Sequence, residues 1–376
     1  MFPAAQRGIA ISMYTAAPFI GPCLGPVIGG FLGMTRGWRW VEGLLAILTG
    51  FLFFIITTFL PETYAPVLLR RRAAKLTQIT GNIHVSRPDL ARKSKPSLFS
   101  TLKTALSRPW IMLFTEPIVL LLSIYMAIIY GTLYMLFAAY PIIFQEIRGW
   151  NQGVGGLPFL GVLVGTLAAA LYNFPEHKRY RAKIQTKKAT PEDRLPSSMV
   201  GAIAAPIGLF WFAWTNGPSI HWMSSIAAGA PFGFGLVLVF LSVMNYLVDS
   251  YAIFAASVLA ANTALRSLFA AAFPLFTTYM YHGLGTNWAA SIPAFLALAC
   301  APFPFIFYKY GPAIRSRCKF AAQAEEYLGS IQGGPISERV ELKSQMSPPQ
   351  NQNQAQGAYN DILAKKTMKQ TVMTMT

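Results

Sequence analysis

Long apolar runs alternate with polar connections along most of the chain. Eight runs come close to the roughly 20 residues that a helix needs to cross a bilayer. They lie at 9–32, 40–60, 113–138, 154–174, 200–217, 223–245, 253–277 and 287–308, and the run at 200–217 is the shortest and weakest. The pattern therefore predicts an all-α integral membrane protein with about eight transmembrane helices.

Composition agrees with a membrane protein. Of the 376 residues, 54% are hydrophobic and 12% are charged, and the mean hydropathy is +0.43. Ordinary soluble domains carry about 25% charged residues, so a soluble chain of this kind could not cover its surface. The first run has no strongly basic segment before it and is too long for a cleaved signal peptide.

Charge predicts the orientation of the helices. Residues 62–112 carry ten Lys or Arg, residues 173–198 carry seven, and the tail opens with Lys309, Arg315, Arg317 and Lys319. The positive-inside rule makes these three segments, and with them both termini, cytoplasmic. The net charge of +17 then reflects topology and attraction to the lipid bilayer. We predict no nucleic-acid binding, because no recognition module accompanies the basic residues.

One apolar run contains an unusual glycine and proline pattern, GPCLGPVIGG at 21–30. Gly21, Gly25, Gly29 and Gly33 recur every four residues, which places them on one helix face. Such a face lets a second helix approach closely, and neighbouring helices can satisfy the backbone groups that proline frees. A helix-packing seam is the simplest interpretation of one such repeat, but the overlapping repeats are more specific.

The stretch APFIGPCLGPVIGGFL resembles the antiporter signature of the fifth span in the major facilitator superfamily. It is most similar to that of the fungal twelve-span drug:proton antiporters, the group of multidrug and polyamine exporters. Stretches at 60–73, 108–144, 191–215 and 245–276 resemble later parts of the same proteins, so the resemblance covers about 5–315. It implies a helical bundle and assigns the antiporter helix motif to Gly21, Pro22, Gly25, Pro26, Gly29 and Gly30.

The resemblance also implies an organisation. Four further spans precede the fifth span in that family, so the eight spans correspond to spans 5–12 of an amino-terminally truncated transporter. We expect 1–61 to hold the last two spans of the N-terminal half-bundle and 62–112 to form a basic cytoplasmic loop. Residues 113–309 would form the six-span C-terminal half-bundle, and 310–376 a largely disordered cytoplasmic tail. A missed upstream exon, a pseudogene product and a real short form all stay open.

Two acidic residues are candidates for proton coupling. Glu116 follows the apolar stretch IMLFT, and a desolvated carboxyl group can exchange protons near neutrality. The alternative is an acid at a helix start, with Pro117 as the first helical residue. Asp249 lies between two spans, where we expect it to cap the next helix. Its alternative role is a gating ion pair.

The candidate substrate-binding residues lie in the seventh and eleventh spans. Arg266 and Asn262 share one helix face, and both should point inward because a charge facing lipid is costly. We expect this pair to line a cavity or to take part in gating. The alternative is a structural hydrogen bond to a neighbouring helix. Tyr125, Tyr130 and Tyr134 offer aromatic rings that could stack planar drugs or hold cations. Ordinary packing and anchoring at the membrane interface are the alternatives.

The sequence indicates no enzyme. It contains no P-loop and no GxSxG-type nucleophile motif. The three cysteines and four histidines are dispersed, without metal or disulfide spacing. We therefore predict no catalytic activity, no metal and no cofactor.

The resemblance implies a transmembrane transporter, with proton-coupled efflux of small amphipathic or cationic molecules such as drugs, toxins, polyamines or secondary metabolites. Protonation of an inward carboxylate and substrate binding would then compete for one cavity. The alternative is a non-transporting remnant, or an association partner of a full-length transporter. We expect a plasma-membrane location, with the vacuole as the alternative. Substrate identity, antiport against symport or uniport, and oligomeric state stay open.

Overall fold

The computed structural model describes residues 4–86, 98–186 and 190–325, and within these ranges it contains helices and no strand. The chain divides into two compact units. The first unit comprises 1–48 and 102–327, and the second comprises 49–101 and 328–376. The residues of the candidate functional site all belong to the first unit.

The chain opens with two long helices. Helix α1 (Ala4–Arg36) stays continuous through Pro18, Pro22 and Pro26. Gly37, with φ of 83°, then turns the chain into α2 (Trp38–Phe59). A left-handed residue at this point favours glycine, which lacks the Cβ that would clash.

The second unit contains residues 49–59 of α2, helix α3 (Ala65–Thr80) and the first residues of α4 (Leu98–Thr115). Gly81 ends α3 in a left-handed conformation, and its N–H donates to the Thr77 carbonyl. Helix α4 lies partly in the segment 62–112 that the sequence predicts as a loop, and it continues to Thr115, just before the next helix.

Six membrane-length segments follow and form most of the first unit. Their helices are α5 (Pro117–Tyr140), α6 (Phe159–Gln185), α7 (Pro196–Thr215), α8 (Trp222–Ala227), α9 (Gly229–Ser250), α10 (Ala255–Leu284), α11 (Thr286–Cys300) and α12 (Pro302–Arg317). A π-helix (Pro141–Ile147) extends α5, and short 3₁₀ helices precede α6 and α7. With α1 and α2, the described residues contain the eight membrane-length apolar segments that the sequence predicts.

The run predicted as one span at 287–308 lies within one membrane-length segment, Thr286–Arg317. This segment consists of two helices that meet at Ala301, because Pro302 and Pro304 interrupt the hydrogen-bond ladder. The tail predicted as largely disordered at 310–376 begins with helical residues, 310–317 at the end of α12 and 319–325 after it. Residues 326–376, the rest of that tail, lie outside the described residues.

Close helix contacts organise the bundle. Helix α5 packs mainly on α10, α9 packs between α6 and α7, and α1 packs on α6. Small residues make the approaches possible: a Cβ placed on Gly235 would lie 2.6 Å from the backbone nitrogen of Ala205. We call the end where α5 begins and α12 finishes the basic end, and the opposite end the short-loop end.

Candidate functional site

An arginine surrounded by aromatic rings lies halfway along the helices of the first unit. The Arg266 guanidinium carbon lies 4.9 Å from the ring centroid of Tyr130 and 4.9 Å from that of Phe240. The Phe240 ring makes an edge-to-face contact with Phe19, at 4.8 Å and 82°. The hydroxyls of Tyr130 and Tyr134 lie 3.3 Å apart. We call these five residues the Arg266 cluster.

The cluster joins helices from both chain segments of the first unit, 1–48 and 102–327. Phe19 belongs to α1, Tyr130 and Tyr134 to α5, Phe240 to α9 and Arg266 to α10. Tyr130, Phe240 and Arg266 lie near the middle of their helices, so the cluster lies far from both ends of the bundle. Tyr130, Tyr134 and Arg266 remain partly exposed. The cluster therefore offers a charged and aromatic surface deep within the bundle.

Two predicted substrate-binding residues lie apart from this surface. Asn262 is fully buried, and its amide donates to Ser123 Oγ at 3.1 Å and to Met126 Sδ at 3.4 Å. These contacts match the structural tie between helices that was the alternative interpretation. Tyr125 is also fully buried, and its ring meets Phe303 edge to face at 6.4 Å. Its contacts are those of a core residue.

A series of rings leads from the cluster to the short-loop end. Tyr134 contacts Phe137 at 5.6 Å between centroids, and Phe137 stacks on Phe159 at 4.9 Å and 24°. Phe137 and Phe159 line a cavity of about 520 Å³. Gly29, Gly30, Trp38, Glu42 and Gln145 are among its other lining residues.

The glycine motif contributes Pro26, Gly29 and Gly30 to the lining of this cavity. A Cβ on Gly30 would lie 2.7 Å from the Gln152 carbonyl oxygen, and Gly156 lies equally tightly against the Pro26 carbonyl. By contrast, nothing lies within 4 Å of a Cβ on Gly21 or Gly25. No described residue packs closely against the face of Gly21 and Gly25, so the close helix approach there stays a prediction. The tight backbone contact is made by Gly30, one residue after Gly29 of the predicted face.

Glu116 lies at the basic end, where its carboxylate joins three segments. The side chain is 1% exposed. Its Oε2 accepts a hydrogen bond from the Tyr251 hydroxyl at 2.9 Å, and its Oε1 accepts one from the Phe320 backbone N–H at 2.9 Å. Burial, and next the Glu116 carboxylate, raise the pKa of Tyr251, so that its hydroxyl stays a donor. Glu116 is the residue before α5, as the helix-start interpretation requires, but its side chain does not cap that helix.

Asp249 does not cap a helix, so that prediction was wrong. It lies inside α9, and the next helix begins only at Ala255. Its Oδ2 accepts from Arg194 Nε at 2.9 Å and from the Tyr180 hydroxyl at 2.9 Å. The Arg194 guanidinium carbon also lies 3.4 Å from the centroid of the Tyr180 ring. The geometry matches the alternative, an ion pair between helices.

Sequence reasoning missed a second ion pair at the basic end. The buried carboxylate of Glu192 lies 3.3 Å from Arg315 in α12. Gly311 makes room for it, since a Cβ there would lie 2.9 Å from Glu192 Cγ. Arg315 Nε also lies 3.5 Å from Glu325. A charged residue inside an apolar helix was the available signal for Arg315.

Comparison with known proteins identifies the family. The family profile of the Major Facilitator Superfamily matches residues 1–274. The chain is 63% identical over 334 residues to the major facilitator superfamily multidrug transporter mdrA of Aspergillus fumigatus, covering 88% of this chain and 55% of that protein. It is 60% identical over 334 residues to the MFS-type efflux pump MFS2 of Trichophyton rubrum, covering 88% and 56%.

A third relative is the efflux pump FUB11 of Gibberella moniliformis, 56% identical over 330 residues, with 87% of this chain and 56% of that protein covered. The chain thus spans little more than half the length of these three relatives. The eight membrane-length segments within its described residues make it an integral membrane protein, and the chain belongs to the Major Facilitator Superfamily.

Proposed function

We propose that the protein takes part in the proton-coupled export of small amphipathic molecules across a membrane, and that the Arg266 cluster binds them. The observation that carries this proposal is the position of the cluster. Ligand sites of transporters lie near the bilayer midplane, between the halves that move. The cluster lies at that depth and joins α1 to the six-segment bundle. Relatives named as a multidrug transporter and as efflux pumps support the same activity.

The ring series suggests a route for release. A bound molecule would leave Tyr130 and Tyr134, pass Phe137 and Phe159, and enter the cavity at the short-loop end. Aromatic faces attract apolar and planar molecules without demanding one shape. We propose that this end faces outward and the basic end faces the cytoplasm, together with both termini, in the plasma membrane.

Glu116 and Asp249 are the proposed proton-coupling residues. From residue 116 to residue 130 the chain rises about 21 Å along α5, at 1.5 Å per residue. Glu116 therefore cannot compete directly with a molecule held at Tyr130. We propose instead that protonation weakens the contacts of Glu116 with Tyr251 and Phe320 and that of Asp249 with Arg194. Loosening at the basic end would then change access to the cluster.

The test is energised dye efflux. Cells of a yeast strain that lacks its own drug exporters are loaded with Nile red, and the protein is expressed in them. We expect faster efflux than in cells without the protein, and loss of the gain with a protonophore or with Tyr130→Ala. Tyr279→Ala, at a residue 82% exposed on α10, is the matched control and should export normally.

Two outcomes would count against parts of this proposal. No efflux above the background of empty cells, with the protein shown to reach the membrane, would contradict export and leave the association-partner hypothesis standing. Normal efflux by Glu116→Gln would remove Glu116 from proton coupling, because the amide cannot take up the proton.

A further inference from the structure

We propose that the Arg266 cluster selects planar aromatic acids, carried as their anions, over neutral or cationic molecules of the same shape. The inference rests on the proposed export function and narrows its substrate class. It also replaces the cationic substrates that the sequence allowed, for an electrostatic reason that the structure supplies.

Three other arginines of the first unit have oxygen partners. Arg194 lies 2.9 Å from the Asp249 carboxylate, and Arg315 lies 3.3 Å from that of Glu192. Arg148, at the short-loop end, donates to three backbone carbonyls, of which the nearest is 2.6 Å away. Each of these three guanidinium groups thus lies close to at least one protein oxygen, although the buried Nε of Arg148 and of Arg315 has no hydrogen-bond partner among the described residues.

Arg266 has no such partner. No carboxylate of the described part of the chain lies within 4.0 Å of its guanidinium group. Its Nε is buried and donates no hydrogen bond. A positive charge deep in an apolar bundle is costly unless something neutralises it. The charge of Arg266 is therefore available to a bound molecule.

The rings beside Arg266 leave its donors free. Tyr130 and Phe240 attract the cation through their π faces, each at 4.9 Å, but neither ring offers an acceptor in line with an N–H bond. A carboxylate has two oxygens in the geometry that a guanidinium fork matches. A neutral amide offers one oxygen and no charge, and an ammonium group would be repelled.

The aromatic part of the ligand follows from the two tyrosines. The Tyr130 and Tyr134 rings lie 5.0 Å apart, and both side chains are partly exposed. Such a pair can stack a flat ring system, and its hydroxyls can donate to a polar substituent. A flat ring with one carboxylate would meet both the rings and the charge.

The test compares three probes that share one ring system: 2-naphthoate, 2-naphthamide and 2-naphthylmethylammonium. Binding to the purified protein in lipid nanodiscs is measured by equilibrium dialysis at about pH 7.5, where the acid is ionised. We expect the dissociation constant of 2-naphthoate to be lower than that of the amide by about tenfold or more, because a hydrogen bond to a charged group is stronger than one between neutral groups. The ammonium probe should bind weakest.

Variants assign the preference to one residue. Arg266→Gln should bring the acid down to the affinity of the amide, and Arg266→Lys should retain part of the preference because it keeps the charge. Arg36→Gln, at an exposed arginine near the end of α1, should leave all three affinities unchanged. Because the buried Nε of Arg266 has no hydrogen-bond partner among the described residues, Arg266→Gln should unfold at the same or a higher temperature than the native protein.

Several results would overturn the proposal. These are equal binding of acid and amide, a preference for the ammonium probe, no binding of any probe, and an acid preference that Arg266→Gln leaves intact. A large fall in the unfolding temperature of Arg266→Gln would make Arg266 a structural residue. Nile red efflux tests the export function independently, so a failure of the acid preference would leave the export proposal intact.

Discussion

At the residue scale, single buried side chains connect segments that are far apart in sequence. Glu116 accepts one hydrogen bond from Tyr251 and one from the backbone of Phe320, 135 and 204 residues away. Phe320 also packs edge to face on Phe254, with 5.1 Å between centroids. The segment after α12 is thereby fixed to the start of α5 and to the α9–α10 connection.

Replacing Glu116 should therefore expose its neighbour Cys318. Burial, and next Glu116, raise the pKa of the Cys318 thiol to about 11, so the native thiol should react slowly with maleimide near neutral pH. Glu116→Ala leaves two donors unsatisfied, at about 1–3 kcal/mol each, and should speed labelling. The measurement is maleimide labelling followed by mass spectrometry, with Cys23 and Cys300 replaced by Ala.

Glu146→Ala is the matched control for this prediction, since its side chain is 57% exposed. Labelling of Cys318 should stay slow in that variant. If Glu116→Ala also labels no faster than the parent protein, the carboxylate does not hold the segment in place.

A second residue-scale prediction concerns pH. Burial raises the pKa of Asp193, but hydrogen bonds from Lys183 at 2.5 Å and from Thr190 outweigh it, and the net pKa lies below the usual 3.8. A lowered pKa means that the pair stabilises the fold above about pH 4 and that this stabilisation is lost as the pH falls further.

The measurement for Asp193 is the unfolding temperature from about pH 7 to about pH 3. Asp193→Asn should unfold at a lower temperature than the native protein at neutral pH, and the difference should shrink below about pH 4. Glu176→Gln removes an exposed pair with Arg179 and should show little difference throughout. A difference for Asp193→Asn that persists at low pH would contradict the assignment.

At the element scale, α1 uses only part of its glycine motif for packing against the described residues. Gly30 lies against the Gln152 carbonyl, while Gly21 and Gly25 face open space. Helix α2 likewise has no buried residue. One face of α1 is thus packed, and another is available to a further segment or to lipid.

Paired substitutions in α1 test this division. Gly30→Ala places a Cβ 2.7 Å from a backbone oxygen that cannot easily move, and should destabilise the protein by about 1–3 kcal/mol. Gly25→Ala meets nothing and should be neutral, or more stable by up to about 1 kcal/mol from helix propensity. Thermal unfolding in detergent measures both. Equal losses would show that the Gly25 face is packed as well.

At the scale of the whole molecule, polar groups follow a gradient from the basic end to the middle. Carboxylates and arginines at the basic end pair with one another, as Asp249 does with Arg194. In the middle, Arg266 contacts the rings of Tyr130 and Phe240 and no carboxylate of the described residues. The proposed ligand would use the charge of Arg266, at a distance from the proposed proton-dependent contacts.

The sequence predicts much of this architecture, because membrane spans need long apolar runs and few charges. It also singles out Arg266, because a charged residue within a membrane span is rare, and it singles out Tyr130 and Tyr134, because residues four apart share a helix face. Phe240 could not be found, since it is one of 27 phenylalanines and its role comes only from the packing of α9. Asp249 was misassigned because capping is a local rule, whereas Arg194 lies 55 residues earlier in the chain.

The most direct test of the central claim is to locate the exported molecule. A diazirine derivative of Nile red is photolysed with the purified protein in nanodiscs, and labelled peptides are mapped by mass spectrometry. We expect labels at Tyr130, Tyr134 or Phe240 that an excess of unmodified dye removes. Competable labels confined to the cavity residues 26–42 and 145–159, with none in the Arg266 cluster, would contradict it.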